Sequence, residues 1–151
     1  MDAIDYKILK ILQKNARETA SNISNEIHLS VSAVIERIRK MEETGVIKEY
    51  TIIVDEKKTG NEMTALMEVS LEHPKFFDSF ADAIQKLEYI VSCYYQTGDF
   101  DLIIRISCHS SDELEEIHRQ VMSLPGVDAT RTHVVLKNVK NIYSAIRRPD
   151  K

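Results

Sequence analysis

Between Thr19 and Ile47 the chain alternates caps and apolar positions in a way that few folds can use. A short helix over Ala20–Ile27, started by Thr19, meets a three-residue turn at His28-Leu29-Ser30 and then a longer helix from Val31 to Thr44. Val34, Ile38 and Met41 recur at i, i+4 and i+7 and give that second helix one buried stripe, with Ser30 as its N-cap and Gly45 as the residue that stops it. Two helices joined so tightly form a helix-turn-helix, in which the second helix rests on the first and offers its outer side to a DNA major groove. Here that outer side carries Ser32, Ala33, Glu36, Arg37, Arg39 and Lys40. Ser30 and Ser32, near the helix N-terminus, suit phosphate or base edges; Arg37 suits a guanine or a phosphate, and Lys40 the backbone. The plainer use of the same residues is a solvated face with Glu36 and Lys40 paired one turn apart.

Charge argues mildly against this reading. The 151 residues carry a net −4, and phosphate contacts supply much of any affinity for DNA. The imbalance is uneven, however. Residues 1–60 hold ten Lys/Arg and ten Asp/Glu, so the whole acidic excess lies beyond them. Binding must therefore come from local placement and from several linked sites. No apolar run approaches the roughly 20 residues that cross a bilayer. The acidic start, Met1-Asp2-Ala3-Ile4-Asp5, does not read as a secretory signal, so the expected compartment is the cytoplasm, with no membrane partner. In that compartment Cys93 and Cys108, both in strand-like segments, are expected as buried thiols rather than a disulfide.

The flanking segments extend the pattern. Ile4, Ile8, Ile11 and Leu12 predict a first helix from about Asp2 to Lys14, capped by Asp2 and ended by Asn15 in a left-handed conformation. After Gly45, the β-branched alternation of Val46–Asp55 predicts a strand that serves as a small wing and then a hinge, and 57–62 is the one plausible linker.

Beyond it the order becomes strand, helix, strand, strand, helix, strand. Met63 to Leu71 alternate. Phe76, Phe80, Ile84 and Leu87 mark a helix started after His73-Pro74. Strands over 89–97 and 100–108 turn at Gly98-Asp99, Ser110 and Glu113 start a second helix, Pro125-Gly126 stops it, and 127–137 is a last strand. This βαββαβ order predicts a ferredoxin-like fold with both helices on one face of an antiparallel sheet. The other face would carry Leu66, Ile90 and Tyr94, too apolar a patch to leave in water, which predicts a symmetric dimer. The expected class is thus α+β. Residues 1–50 form a winged helix-turn-helix, 51–62 a hinge strand and linker, and 63–151 a ferredoxin-like effector-binding and oligomerisation domain.

Taken in order, these residues resemble the leucine-responsive and asparagine-responsive regulators, the Lrp/AsnC or feast/famine family. Asp5-x-x-Ile8-Leu9, Asn15-Ala16-Arg17, Leu29-Ser30, Arg37-Ile38 and Gly45-Val46-Ile47 carry the resemblance in the first part. Thr97-Gly98-Asp99-Phe100-Asp101, Leu124-Pro125-Gly126-Val127 and Thr130-Arg131-Thr132 carry it in the second. The resemblance implies a transcriptional regulator that binds double-stranded DNA as a homodimer, often assembled into a tetramer or octamer, and that senses an amino acid near the strand loops of its second domain. It implies no cofactor. Two positions depart from the family pattern: His28 stands where glycine is common in the turn, and Val31 where proline often begins the reading helix.

For the effector, Gly98, Asp99 and Asp101 offer a carboxylate for an α-amino group and loop N–H groups for a carboxylate, while Thr130 and Thr132 project the same way with hydroxyls. Asp and Gly are also simply what hairpin turns use. The five scattered histidines form no metal motif, and Glu115-Glu116-Ile117-His118 lacks a second histidine. Nothing assembles a nucleophile, a base and an oxyanion site, so no enzyme is expected. Two other uses of this plan are an effector-independent architectural DNA-binding protein and a tetrapyrrole decarboxylase. For the latter, His133, Arg131 and Tyr95 are the nearest approach to a site.

Overall fold

The computed structural model describes residues 1–149, in two compact units. One comprises residues 1–53 with 140–149; the other is Val54–Val139.

In the first unit, α1 (Ala3–Lys14), α2 (Ala20–Ile27) and α3 (Val31–Glu43) close around Ile8, Ile23, Val34 and Met41. Each helix starts where a short polar side chain satisfies free N–H groups: Asp2 for α1, Thr19 for α2 and Ser30 for α3. The α2–α3 turn depends on His28, the one described non-glycine residue with positive φ (59°), and its N–H closes the helix on the Ser24 carbonyl. Gly45, at φ +71°, ends α3. Asn15 ends α1 differently from expectation, in extended rather than left-handed backbone, with its N–H on the Ile11 carbonyl.

The strand expected over 46–55 is not formed. Ile52 and Ile53 are 81% and 66% exposed, and the stretch has no neighbouring strand to pair with, so its β-branched alternation has no ladder to join. By contact, residues 140–149 group with the helical unit, where the Gln13 amide donates to the Ser144 carbonyl.

The second unit is the four-stranded antiparallel sheet β2-β3-β1-β4, from β1 (Met63–Leu71), β2 (Ile90–Tyr95), β3 (Leu102–Cys108) and β4 (Val127–Val134). Helices α4 (Phe77–Ile84) and α5 (Ser111–Met122) cover one face. Period-two alternation sends Ala65, Met67, Val69, Leu102, Ile104 and Ile106 into that covered core, against Phe80, Ile84, Ile117 and Val121. The opposite parity leaves Leu66, Glu68, Ile103, Arg105, Arg131 and His133 on the open face, with Tyr94 63% exposed. Ile90, expected beside them, packs instead with the covered core. The register shifts between Ile90 and Ser92, so Ile90 pairs with Ile106, and the extra residue reverses its parity. Cys108 is buried, whereas Cys93, on the edge strand β2, is exposed rather than buried as expected.

Gly126 closes the α5–β4 connection. Its φ is +82°, and a Cβ there would lie 2.0 Å from the Phe76 ring. Gly126→Ala is expected to destabilise the second unit by about 1–3 kcal/mol, read as a lowered denaturation midpoint at unchanged m-value.

Candidate functional site

In the first unit, α3 turns a polar side away from the three-helix core. Val34 and Met41 turn inward, while Ser32, Glu36, Arg39 and Lys40 are exposed and Ala33 is half-buried. Ser30 holds the start of the helix, since its Oγ accepts the Ala33 N–H at 3.2 Å and lies 3.2 Å from the Ser32 hydroxyl. The Glu36–Lys40 pair of the plainer reading does not form. Arg39 takes Glu36 at 2.6 Å and also bonds Glu43, so that arginine is neutralised from both sides. Lys40 is in none of the ion pairs among the described residues, and its ammonium is open to solvent.

Arg37 is placed otherwise than expected. Its Nη1 donates to Asp2 Oδ2 at 2.8 Å and to Asp5 Oδ1 at 2.6 Å, and its side chain is only 31% exposed. Both carboxylates belong to the capping box of α1: Asp2 Oδ1 accepts the Ile4 and Asp5 N–H groups, and Asp5 Oδ2 accepts the Asp2 N–H. The Asp5 N–H first, and then the Arg37 guanidinium, hold the Asp2 carboxyl at about 2. Because the folded value lies below the unfolded one, this contribution is fully present above the ordinary value of 3.8 and fades as pH falls toward 2. Arg37 in turn is shifted further above its already high value, by Asp5 and then Asp2.

Sequence reasoning passes over Arg17, exposed just ahead of Thr19, the N-cap of α2. In a helix-turn-helix the first helix crosses the phosphate backbone, and a cation there is well placed for it. The signal is in Asn15-Ala16-Arg17, where the Arg17 N–H donates to Asn15 Oδ1 at 3.1 Å.

In the second unit the Gly98–Asp101 turn joins β2 to β3, with Gly98 at φ +131° and Asp99 exposed. Asp101 is tied into the sheet: its N–H donates to the Val69 carbonyl at 3.0 Å, and its Oδ2 accepts the Leu71 N–H at 2.8 Å. Thr130 lies opposite Val69 at the same end of the sheet, and Thr132 two residues further along β4. Both hydroxyls face α5 rather than the turn. Thr130 Oγ1 is 2.9 Å from His118 Nε2 and 3.4 Å from the Met122 sulfur. Thr132 Oγ1 is buried without a hydrogen-bond partner. The turn and the two threonines thus share one end of the sheet but do not converge on one point.

On the open face, Arg131 stacks on the Phe100 ring at 4.6 Å, and Glu68 stands 3.6 Å from both Arg131 and His133. Tyr95 lies on the other side of the sheet, edge-on to Phe77 at 5.1 Å. His133, Arg131 and Tyr95 are therefore divided between the two faces and form no common site. Among the described residues no group of His, Cys, Asp and Glu is arranged to hold a metal ion, and no helix is long and apolar enough to cross a membrane.

Residues 1–48 match the winged helix-turn-helix DNA-binding family, and residues 64–144 match the Lrp/AsnC ligand binding domain. Over 140 residues the chain is 39% identical to the HTH-type transcriptional regulator FL11 of Pyrococcus horikoshii, covering 93% of this chain and 92% of that protein. It is 34% identical over 143 residues to the leucine-responsive regulatory protein of Haemophilus influenzae, covering 93% and 86%. Among solved structures, a transcriptional regulator of Neisseria meningitidis in complex with L-methionine superposes with a TM-score of 0.92 at 25% identity, over 97% of this chain and 96% of that one.

Proposed function

The chain belongs to the Lrp/AsnC family of transcriptional regulators, and from that premise we propose that it binds specific DNA as a homodimer or larger assembly and answers to an amino acid. One observation carries the DNA part. Helix α3 is capped by Ser30, propped on α2 through the left-handed His28, and turns Ser32, Ala33, Glu36 and Lys40 outward. Ser30 and Ser32 bring the helix N-terminus to the phosphates, Ala33 and Glu36 meet base edges, and Lys40 meets the backbone. Arg39 stays with Glu36 and Glu43 at the rim of the contact.

Dimerisation joins two open sheet faces through Leu66, Ile103 and Tyr94. The effector lies at the end of the sheet that holds Gly98, Asp99, Asp101, Thr130 and Thr132. The methionine complex of the Neisseria relative supports an amino acid as the class of effector. Since Asp101 Oδ2 is taken by Leu71, the ligand's amino group falls to Asp99 or to the remaining oxygen of Asp101. The regulator works inside the cell, where its DNA is.

Titrating the protein against DNA from upstream of its own gene and against unrelated DNA, with each of twenty amino acids added, tests this reading. Preference for the upstream DNA, shifted by one amino acid, is the expected result. Equal binding to both would make it an architectural protein, and specific binding indifferent to every amino acid would empty the effector site. Lys40→Ala is expected to weaken binding to all sequences alike and to lower the slope of log affinity against log salt by about one.

A further inference from the structure

We infer that Arg37 is a positioning residue of the reading helix and that Asp2 and Asp5 set DNA specificity by keeping its charge away from phosphate. The inference rests on the reading of α3 as the DNA-contacting helix. It departs from the simplest use of an arginine in that helix, which is to touch the DNA.

The geometry leaves Arg37 little freedom. A single guanidinium nitrogen bridges two carboxylates, at 2.8 and 2.6 Å, and Asp5 is itself only 15% exposed. Neither aspartate is free to swing away, because the second oxygen of each holds the first backbone N–H groups of α1. Both carboxylates already engage the one guanidinium. A phosphate approaching Arg37 would have to displace charge-assisted hydrogen bonds to gain one of its own.

The bridge also has a mechanical effect. Val34 and Met41 seat α3 in the core, and Arg37, three residues after the one and four before the other, lies at the edge of that same face and ties it to the start of α1. An ion pair at the edge of the packed face limits how far the helix can roll about its own axis. That rotation decides which base edges Ser32, Ala33 and Glu36 reach. With Arg39 neutralised as well, α3 presents Lys40 as its open cation, so little of its affinity is blind to sequence.

The test compares the full-length wild type with Arg37→Met, Arg37→Lys and the double variant Asp2→Asn/Asp5→Asn. Binding to the upstream duplex and to a scrambled one is followed from about 50 to about 200 mM salt, a span over which each phosphate contact adds about 0.9 to the slope. Arg37→Met is expected to weaken binding to the upstream duplex about tenfold, with the salt slope and the scrambled duplex unchanged. Arg37→Lys, which restores a cation to the carboxylates, is expected to recover part of the loss at the same slope.

The double variant keeps a capping oxygen at both positions and releases Arg37, so it does not depend on Arg37→Met folding. It is expected to bind the scrambled duplex several-fold more tightly, with a slope steeper by about 0.9, and to lose discrimination. A slope that falls by about 0.9 in Arg37→Met, with equal loss on both duplexes, would make Arg37 a phosphate contact and overturn the inference while leaving the DNA reading intact. A double variant indistinguishable from wild type would overturn it too. A wild type that binds neither duplex would remove the DNA reading, and this inference with it.

Discussion

Leu66→Glu is expected to give a monomer that holds its DNA roughly 10²–10⁴-fold more weakly than wild type, the factor by which two linked sites exceed one. Leu66 lies on β1, an interior strand of the sheet, opposite Arg105 on β3 and His133 on β4, and its side chain is on the face that no helix covers. In one chain a carboxylate there costs little, since the position is half-exposed. Between two packed sheets the same carboxylate loses its water at the centre of the contact, which is where burial of charge is most costly. Folding of each protomer and its helix content should therefore survive while association is lost. Sedimentation would report the mass and fluorescence anisotropy the affinity. A variant that remains dimeric would place the subunit contact elsewhere on the molecule.

The residues legible in the sequence are those whose role is settled within a few positions. Thr19, Ser30 and Gly45 act on N–H and C=O groups no more than one or two turns away, so type and spacing suffice. His28 takes a left-handed conformation because the turn between α2 and α3 requires one and no glycine is at hand. The βαββαβ order follows from alternation and turn signals in the same local way.

The larger failures involve a distant partner. Val46–Asp55 has the composition of a strand, but a strand needs a neighbour, and one chain supplies none. Alternation alone puts Ile90 on the wrong face because a bulge is a property of pairing, not of the residues 90–92 themselves. Periodicity places Arg37 correctly along α3, yet its fate is decided by residues 32 and 35 positions earlier. A long side chain can reach several destinations from one Cα, and helical periodicity fixes only the Cα. Asp101 shows the same limit, since its carboxylate serves the Leu71 N–H, 30 positions earlier on a separate strand.

Ile8→Ala is expected to abolish DNA binding altogether while the second unit stays folded. The two units have separate buried clusters, and that of the helical unit has only four fully packed members, Ile8, Ile23, Val34 and Met41. Ile8 has no solvent exposure, and its truncation removes contact with a cluster too small to close over the space. Such a change costs about 2–5 kcal/mol. A unit of about sixty residues commonly has roughly 3–9 kcal/mol in all. The loss thus takes most of what holds α3 in place, whereas Phe80, Met67 and Ile104 of the sheet unit touch none of it. Amide exchange should accelerate across α1, α2 and α3 and remain slow in β1 and β3, and anisotropy should register no complex at concentrations that saturate wild type. If Ile8→Ala bound DNA at full strength, α3 would be held by something other than the core beneath it, and the capped, propped helix would lose its claim to be the reading element.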